Sequence, residues 1–193
     1  MKILLLILLS FNCVCARAQF DCPIYGDKAQ AKYRWLDSLK NRIAGDSGTI
    51  LDMSITLERM ITPGNDTSRF NIRQFVRLVG YVVDVKDGGA ETCNCHSKLK
   101  RDLDTHIELG RTRKSNDSEA VVVEVSRFVK AAHADYSTKQ LKTLIGKKVI
   151  IEGLLFPDTE HWHNSINTNP TGGNIWRRTM WEVHPVLNIT VIE

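Results

Sequence analysis

Met180–Val191 reads M-W-E-V-H-P-V-L-N-I-T-V. Its odd positions are Trp181, Val183, Pro185, Leu187, Ile189 and Val191, and its even positions include Glu182, His184, Asn188 and Thr190. Side chains on a strand point alternately to opposite faces, so this spacing predicts a strand with one face in a core and one in solvent. Two earlier runs share the parity. In Asp104–Leu109 the odd side is Thr105, Ile107 and Leu109, and the even side is Asp104, His106 and Glu108. In Val121–Val125 the odd side is all valine and the even side carries Glu124. Three strands therefore turn an apolar edge one way and imidazole or carboxylate the other.

Two further runs read as strands. Phe75–Lys86 has Gly80 in its middle, where a strand glycine marks a bulge or a sharp bend, and Lys147–Leu155 is the fourth in chain order. Between the third and fourth strands, Ser137 and Gln140 make a capping-box pattern ahead of Leu141, Leu144 and Ile145, and Gly146 closes a short helix. Upstream, Asp27–Ala44 reads as a helix with Asp27 as N-cap, an apolar face of Trp35, Leu36, Leu39 and Ile43, and its cations mostly in solvent. Ile50–Ile61 fits strand or helix, and Pro63-Gly64-Asn65-Asp66 is a turn. Pro157–Arg178 is a long polar loop, a length that in a compact domain goes with function or disorder.

Residues 1–18 read as a secretory signal: Lys2, the apolar run Ile3–Leu9, and Ala16-Arg17-Ala18 as the cleavage site. The apolar run is too short to span a bilayer. The expected location is secreted or periplasmic, with cleavage after Ala18. Removing residues 1–18 takes out Lys2 and Arg17 and leaves 175 residues with a formal charge of +2, against +4 for the whole chain. That near-neutral balance argues against a polybasic nucleic-acid binder, although local basic patches remain. Cys22, Cys93 and Cys95 survive cleavage, and an oxidising compartment favours one disulfide. Cys93 and Cys95 are too close in sequence to pair without strain, so Cys22 pairs with one of them, and Cys22–Cys93 is the working assignment.

Three short strands, a helix and two more strands are the layout of an OB-fold, a five-stranded Greek-key barrel with a helix between strands three and four. At the level of motifs the chain resembles a widespread group of small secreted bacterial OB-like proteins without an assigned activity. The resemblance rests on Glu91-Thr92-Cys93-Asn94-Cys95, Asp104-x-His106-Ile107-x-Leu109, Val123-Glu124-Val125, Gly146-Lys147-Lys148-Val149 and Trp181-Glu182-Val183-His184-Pro185-Val186, across roughly residues 72–192. It implies the closed barrel and carries no chemistry with it. The expected organisation is a signal peptide at 1–18, an N-terminal helical extension at 19–70 and an OB-like barrel domain at 71–193.

In that barrel strand three lies between strands two and five, which sets His106, Glu124 and His184 on neighbouring strands with one parity. The hairpin of strands two and three is centred near Ser115, which puts His106 opposite Glu124. Two imidazoles and a carboxylate suit Zn, Mn or Fe with open positions. Asp104, Glu108 and Glu182 can orient those ligands or add to them. A plain cross-strand pair accounts for the same residues without a metal. The long loops offer a second set. Trp162, Trp176, Arg177 and Arg178 interleave aromatics with cations beside His161 and His163, as a surface for sugars, bases or phosphates does. The residues support three readings. One is a binding module for a small-molecule, glycan, peptide or protein ligand, using His106, Glu108, Glu124, Glu182, His184 and these loops. Another is a metal-dependent hydrolase, with a phosphodiester as one candidate substrate. The last is a structural or interaction domain.

Overall fold

The computed structural model describes residues 21–28 and 30–193, and the signal segment falls outside them. In chain order the strands are β1 (Ile50–Leu51), β2 (Gln74–Asp87), β3 (Thr105–Gly110), β4 (Val121–Val125), β5 (Lys148–Pro157) and β6 (Trp181–Val191). The helices are α1 (Ala31–Lys40), α2 (Leu57–Ile61), α3 (Arg127–Ala132) and α4 (Thr138–Leu141). Apart from β1, which adds in parallel to the edge of β2, the strands run β2-β3-β4-β6-β5 and β5 returns to β2. The protein is mainly β, a closed five-stranded mixed barrel whose single parallel pair is β4 with β6. That is the OB-like order expected of the five runs.

Closure depends on β2. Phe75–Tyr81 pairs with β5 and Tyr81–Asp87 pairs with β3, so Tyr81 sits at the changeover. Gly80 beside it has no room for a side chain. A Cβ there would stand 2.8 Å from Leu109 Cγ and 2.9 Å from the Gly110 carbonyl oxygen. The pairing of β2 with β3 shifts between Val82 and Asp84, the irregularity the strand glycine foretold.

The odd-numbered residues fill the barrel. Ile107, Leu109, Val121, Val123, Val125, Trp181 and Val183 join Val76, Leu78, Val149 and Ile151 in one apolar cluster. Each such side chain contributes about 1.5–3 kcal/mol by leaving water. The alternation of β6 slips after Pro185, because its pairing with β5 shifts at Gly153, and Val186 rather than Pro185 joins the cluster. Ile50–Ile61 turns out to be both candidates, a two-residue strand followed by α2, whose Leu57 and Met60 close one end of the core. Ser137 caps α4 by accepting from the Gln140 amide, as the capping box predicts. The preceding α3, capped by Ser126, falls in a stretch that has no regular pattern in the sequence.

The outward face is where the structure departs from expectation. Apart from Asn188 and Thr190 at the end of β6, the even-numbered polar side chains leave the barrel but do not reach solvent. His106, Glu108, Glu124, Glu182 and His184 are all buried. The chain itself covers them. α1 begins after Gln30, with no side-chain cap, and Asp27 plays no part in capping. Its buried residues are Leu36, Asp37, Leu39 and Lys40, whereas Trp35 and Ile43 are exposed. Leu36 and Leu39 pack on Phe156 in a second, smaller cluster, and the Phe156 ring meets the His184 ring edge-on at 5.7 Å. Arg42, just beyond α1, donates to the carbonyls of Ile72, Leu155 and His184. Lys40 enters the layer because Glu91 meets it at 2.6 Å. Periodicity alone placed this cation in water; a partner from a distant loop holds it inside.

The disulfide is Cys22–Cys95, not Cys22–Cys93. Cys95 adopts a left-handed backbone with φ 47°, at the end of the Thr92–Asn94 turn, while the Cys93 side chain turns inward and is free and buried.

Candidate metal centre

Asp104, Glu124 and His184 come together beneath the cover, one ligand atom from each lying within 4.8 Å of the other two. Two neighbouring strands and the residue just before a third supply them. Glu124 is in the middle of β4, whose Val123 stands opposite Val183 of β6, so their next residues, Glu124 and His184, are neighbours. Asp104 precedes β3 and is fixed by its own bonds: its carbonyl accepts from the Gly88 amide at 2.8 Å and its Oδ1 accepts from the Arg127 amide at 3.0 Å. Oδ2 remains directed at His184 Nε2, 3.3 Å away.

His184 is 0 % exposed, and neither ring nitrogen makes a well-aligned hydrogen bond, although carboxylates stand close to both. On the Nδ1 side Glu182 Oε2 and Glu124 Oε2 stand at 3.6 and 3.7 Å, beyond a good N–H···O bond. Burial alone would drive the imidazole to its neutral form. The carboxylates of Glu124, Asp104 and Glu182 outweigh it, so the pKa of His184 is pushed up to about 10. Burial works against ionisation of Glu124 as well, yet the charge of His184 and the bond from His106 hold it well below the usual range. Glu182 lies on the other side of the balance, its carboxyl raised by burial despite Arg177.

His106 stands opposite Glu124, as the hairpin predicts. It is not one of the three gathered ligands. Its Nδ1 lies 3.2 Å from Glu124 Oε1, so it orients that carboxylate, while its Nε2 is 3.8 Å from Glu108 Oε1. Glu108 in turn accepts from Lys86 at 2.9 Å. The sequence pointed to His106, Glu124 and His184; the group that the structure gathers closely enough to hold a metal is Asp104, Glu124 and His184, with His106 beside Glu124. The signal for Asp104 was present: it shares the even parity of His106 two residues before it. What singles it out is the turn onto α3, whose first amide it caps.

The loop residues split. Arg177 is 1 % exposed and is no surface cation. It donates to Asp158 at 2.8 Å and Glu182 at 2.7 Å, and its guanidinium lies 4.2 Å from the Trp176 ring centre. Trp176 also meets the rings of His106, at 6.2 Å, and His161, at 5.5 Å, so it belongs to the cover. Arg178 is half-buried. Trp162 alone keeps the expected exposure, facing a groove of about 560 Å³ that Trp35 also lines, over Phe70, Met180 and Trp181. His161 pairs with Asp158 at 2.8 Å instead of joining His163. Cys93 Sγ stands 3.8 Å from Asp104 Oδ2, and burial, reinforced by Asp104, pushes its thiol pKa well above the ordinary value.

Chemically the centre offers one imidazole and two carboxylates in a sealed space, a donor set that can hold a divalent metal ion. Among the described residues no helix is long and apolar enough to cross a membrane. No family model matches the chain, and no curated protein matches it.

Proposed function

We propose that this chain is an exported binding module that carries one divalent transition metal at Asp104, Glu124 and His184. The observation that supports it is His184, wholly buried, with Asp104 Oδ2 3.3 Å from its Nε2 and Glu124 Oε2 3.7 Å from its Nδ1, one ligand atom of each residue lying within 4.8 Å of the other two. Buried carboxylates gathered on one imidazole are costly to desolvate, and a divalent cation held between them would offset that cost. The nitrogen-and-oxygen set suits Zn, Mn or Fe, which bind such ligands at about 2.0–2.2 Å. His106 and Glu182 would orient the ligands, the part that outer carboxylates and imidazoles play around bound metals.

A hydrolase built on the same residues needs a path from solvent to the metal. The cover over His184 favours binding over turnover. Elemental analysis of tag-free protein, as purified and after reconstitution with Zn, Mn and Fe, tests the proposal. One metal per chain, lost in His184→Ala, supports it; no metal in either protein under any of these conditions sinks it.

A second reading, glycan binding, has one specific observation in its favour. Trp35 and Trp162 are about half exposed, at 49 % and 50 %, along one groove whose edge also carries Thr67, Asn71 and Thr159. Flat aromatic faces beside small polar groups suit sugar rings. A glycan array probed with wild type and Trp162→Ala checks it, and an array blank for both proteins rejects it.

A further inference from the structure

A second cleft adjoins the candidate metal centre through Arg127, whose amide donates to Asp104, but none of the three candidate ligands lines it. It is formed by the stretch before β3, by α3, and by α4 with the turn that follows, and it encloses about 860 Å³, the size of a small-molecule site. Phe128, Ala131, Ala132 and Ala134 give it an apolar side. Its charge is lopsided. Lys100, Arg101, Lys130, Lys139 and Lys142 line it together with Arg127, and only Asp87 and Asp102 oppose them.

Six cations against two carboxylates give this cleft as much net positive charge as the +4 of the entire sequence. Without residues 1–18 the formal charge is +2, so the rest of the chain outside the cleft is net negative and the positive charge is concentrated here. Part of the charge is engaged. Lys100 is 3.1 Å from Asp87 and Arg101 is 3.6 Å from Asp102, and both pairs are exposed enough to be weak. Lys130 Nζ donates to the carbonyls of Lys100 and Leu103, which fixes its ammonium in place without neutralising it. Burial lowers its pKa, the expected cost of holding a cation there with no carboxylate bound to it. Lys139 and Lys142 are exposed, and among the described residues neither forms an ion pair.

We propose that this cleft binds a small anion bearing two phosphoryl groups, with Lys130, Lys139 and Lys142 as its principal contacts. Four lysines line the cleft, and an ammonium on a flexible stem meets phosphate oxygens as a point charge, so several of them can follow the spread oxygens of a diphosphate. The apolar side would take the organic body that carries the phosphates. The inference is independent of any metal at Asp104, Glu124 and His184.

The test is isothermal titration of inorganic pyrophosphate into the protein at low ionic strength, with citrate as the carboxylate control. The variant is Lys139→Glu/Lys142→Glu, two exposed positions outside the apolar core, and circular dichroism verifies its fold. The proposal expects one saturable site for pyrophosphate, weakened at least about tenfold in the variant and by added salt, with citrate binding more weakly. Absence of saturable pyrophosphate binding overturns it. So does equal affinity in the folded variant, or citrate binding as tightly as pyrophosphate.

Discussion

Arg177 Nη2 donates to Glu182 Oε1 at 2.7 Å, and both side chains are 2 % exposed. The same guanidinium reaches Asp158 at 2.8 Å, so one buried arginine ties the long loop to the last strand and to the end of the strand before it. Glu182 is two residues from His184, and the contact therefore locks the cover directly over the candidate metal centre.

Breaking that lock leaves Glu182 buried without its guanidinium and Asp158 with His161 alone at hydrogen-bond distance. Arg177→Met is expected to cost about 3–5 kcal/mol in urea unfolding, the range for removing one partner of a buried ion pair. Adding Glu182→Gln should restore part of the loss, because the remaining polar group is then neutral. Equal stability of wild type and Arg177→Met would show that the pair does not hold the cover.

Asp158 and His161 make stability depend on pH in opposite directions. Burial opposes ionisation of Asp158, but the bond to His161 and the charge of Arg177 outweigh it and hold the carboxyl below its usual range. A lowered carboxyl pKa contributes stability above the unfolded value, about 3.9, and loses it as the pH falls through the folded one. The bond to Asp158 raises the pKa of His161. That contribution is complete below about pH 6.5 and fades as the pH rises through the raised folded value. The pair should therefore stabilise most between about pH 4 and pH 6.5. Denaturation across that window checks it, and Asp158→Asn should flatten both limbs.

The cysteines give a chemical reading of the same layer. Cys93 is 1 % exposed, its thiol disfavoured for ionisation by burial. In protein processed after Ala18 it should resist a thiol reagent in the native state and react at one equivalent per chain once unfolded without reductant. Two reactive thiols in the native state, or none after unfolding, would contradict the Cys22–Cys95 link. Cys95→Ser should cost about 2–5 kcal/mol.

The barrel was legible in the sequence because alternation is a local signal. Trp181, Val183, Ile107 and the three odd valines of Val121–Val125 point inward as their spacing requires, and His106 meets Glu124 where the hairpin centre puts it. The cover was not legible. Asp37 and Lys40 are buried on α1 through Thr92 and Glu91, more than fifty residues away, and no helical periodicity encodes such partners. Choosing between Cys93 and Cys95 needed the left-handed turn at Cys95, which decides which sulfur faces Cys22. Asp104 was visible as an acidic neighbour of the right parity. Its place in the candidate group goes with the amide of Arg127, which fixes one of its oxygens.

His106 separates an orienting role from a coordinating one. His106→Ala leaves Asp104, Glu124 and His184 in place but removes the 3.2 Å contact that orients Glu124. Zinc affinity should fall by about 10–100-fold with the stoichiometry kept. Complete loss of zinc would mean that His106 is itself a ligand.

The most direct test of the metal centre is an anomalous difference map from crystals grown with Zn²⁺ and recorded on either side of the zinc edge. The account predicts one strong peak about 2.0–2.2 Å from a carboxylate oxygen of Asp104, a carboxylate oxygen of Glu124 and a ring nitrogen of His184. A map without a peak there, or with its only peak on the loop at His161 and His163, would contradict it.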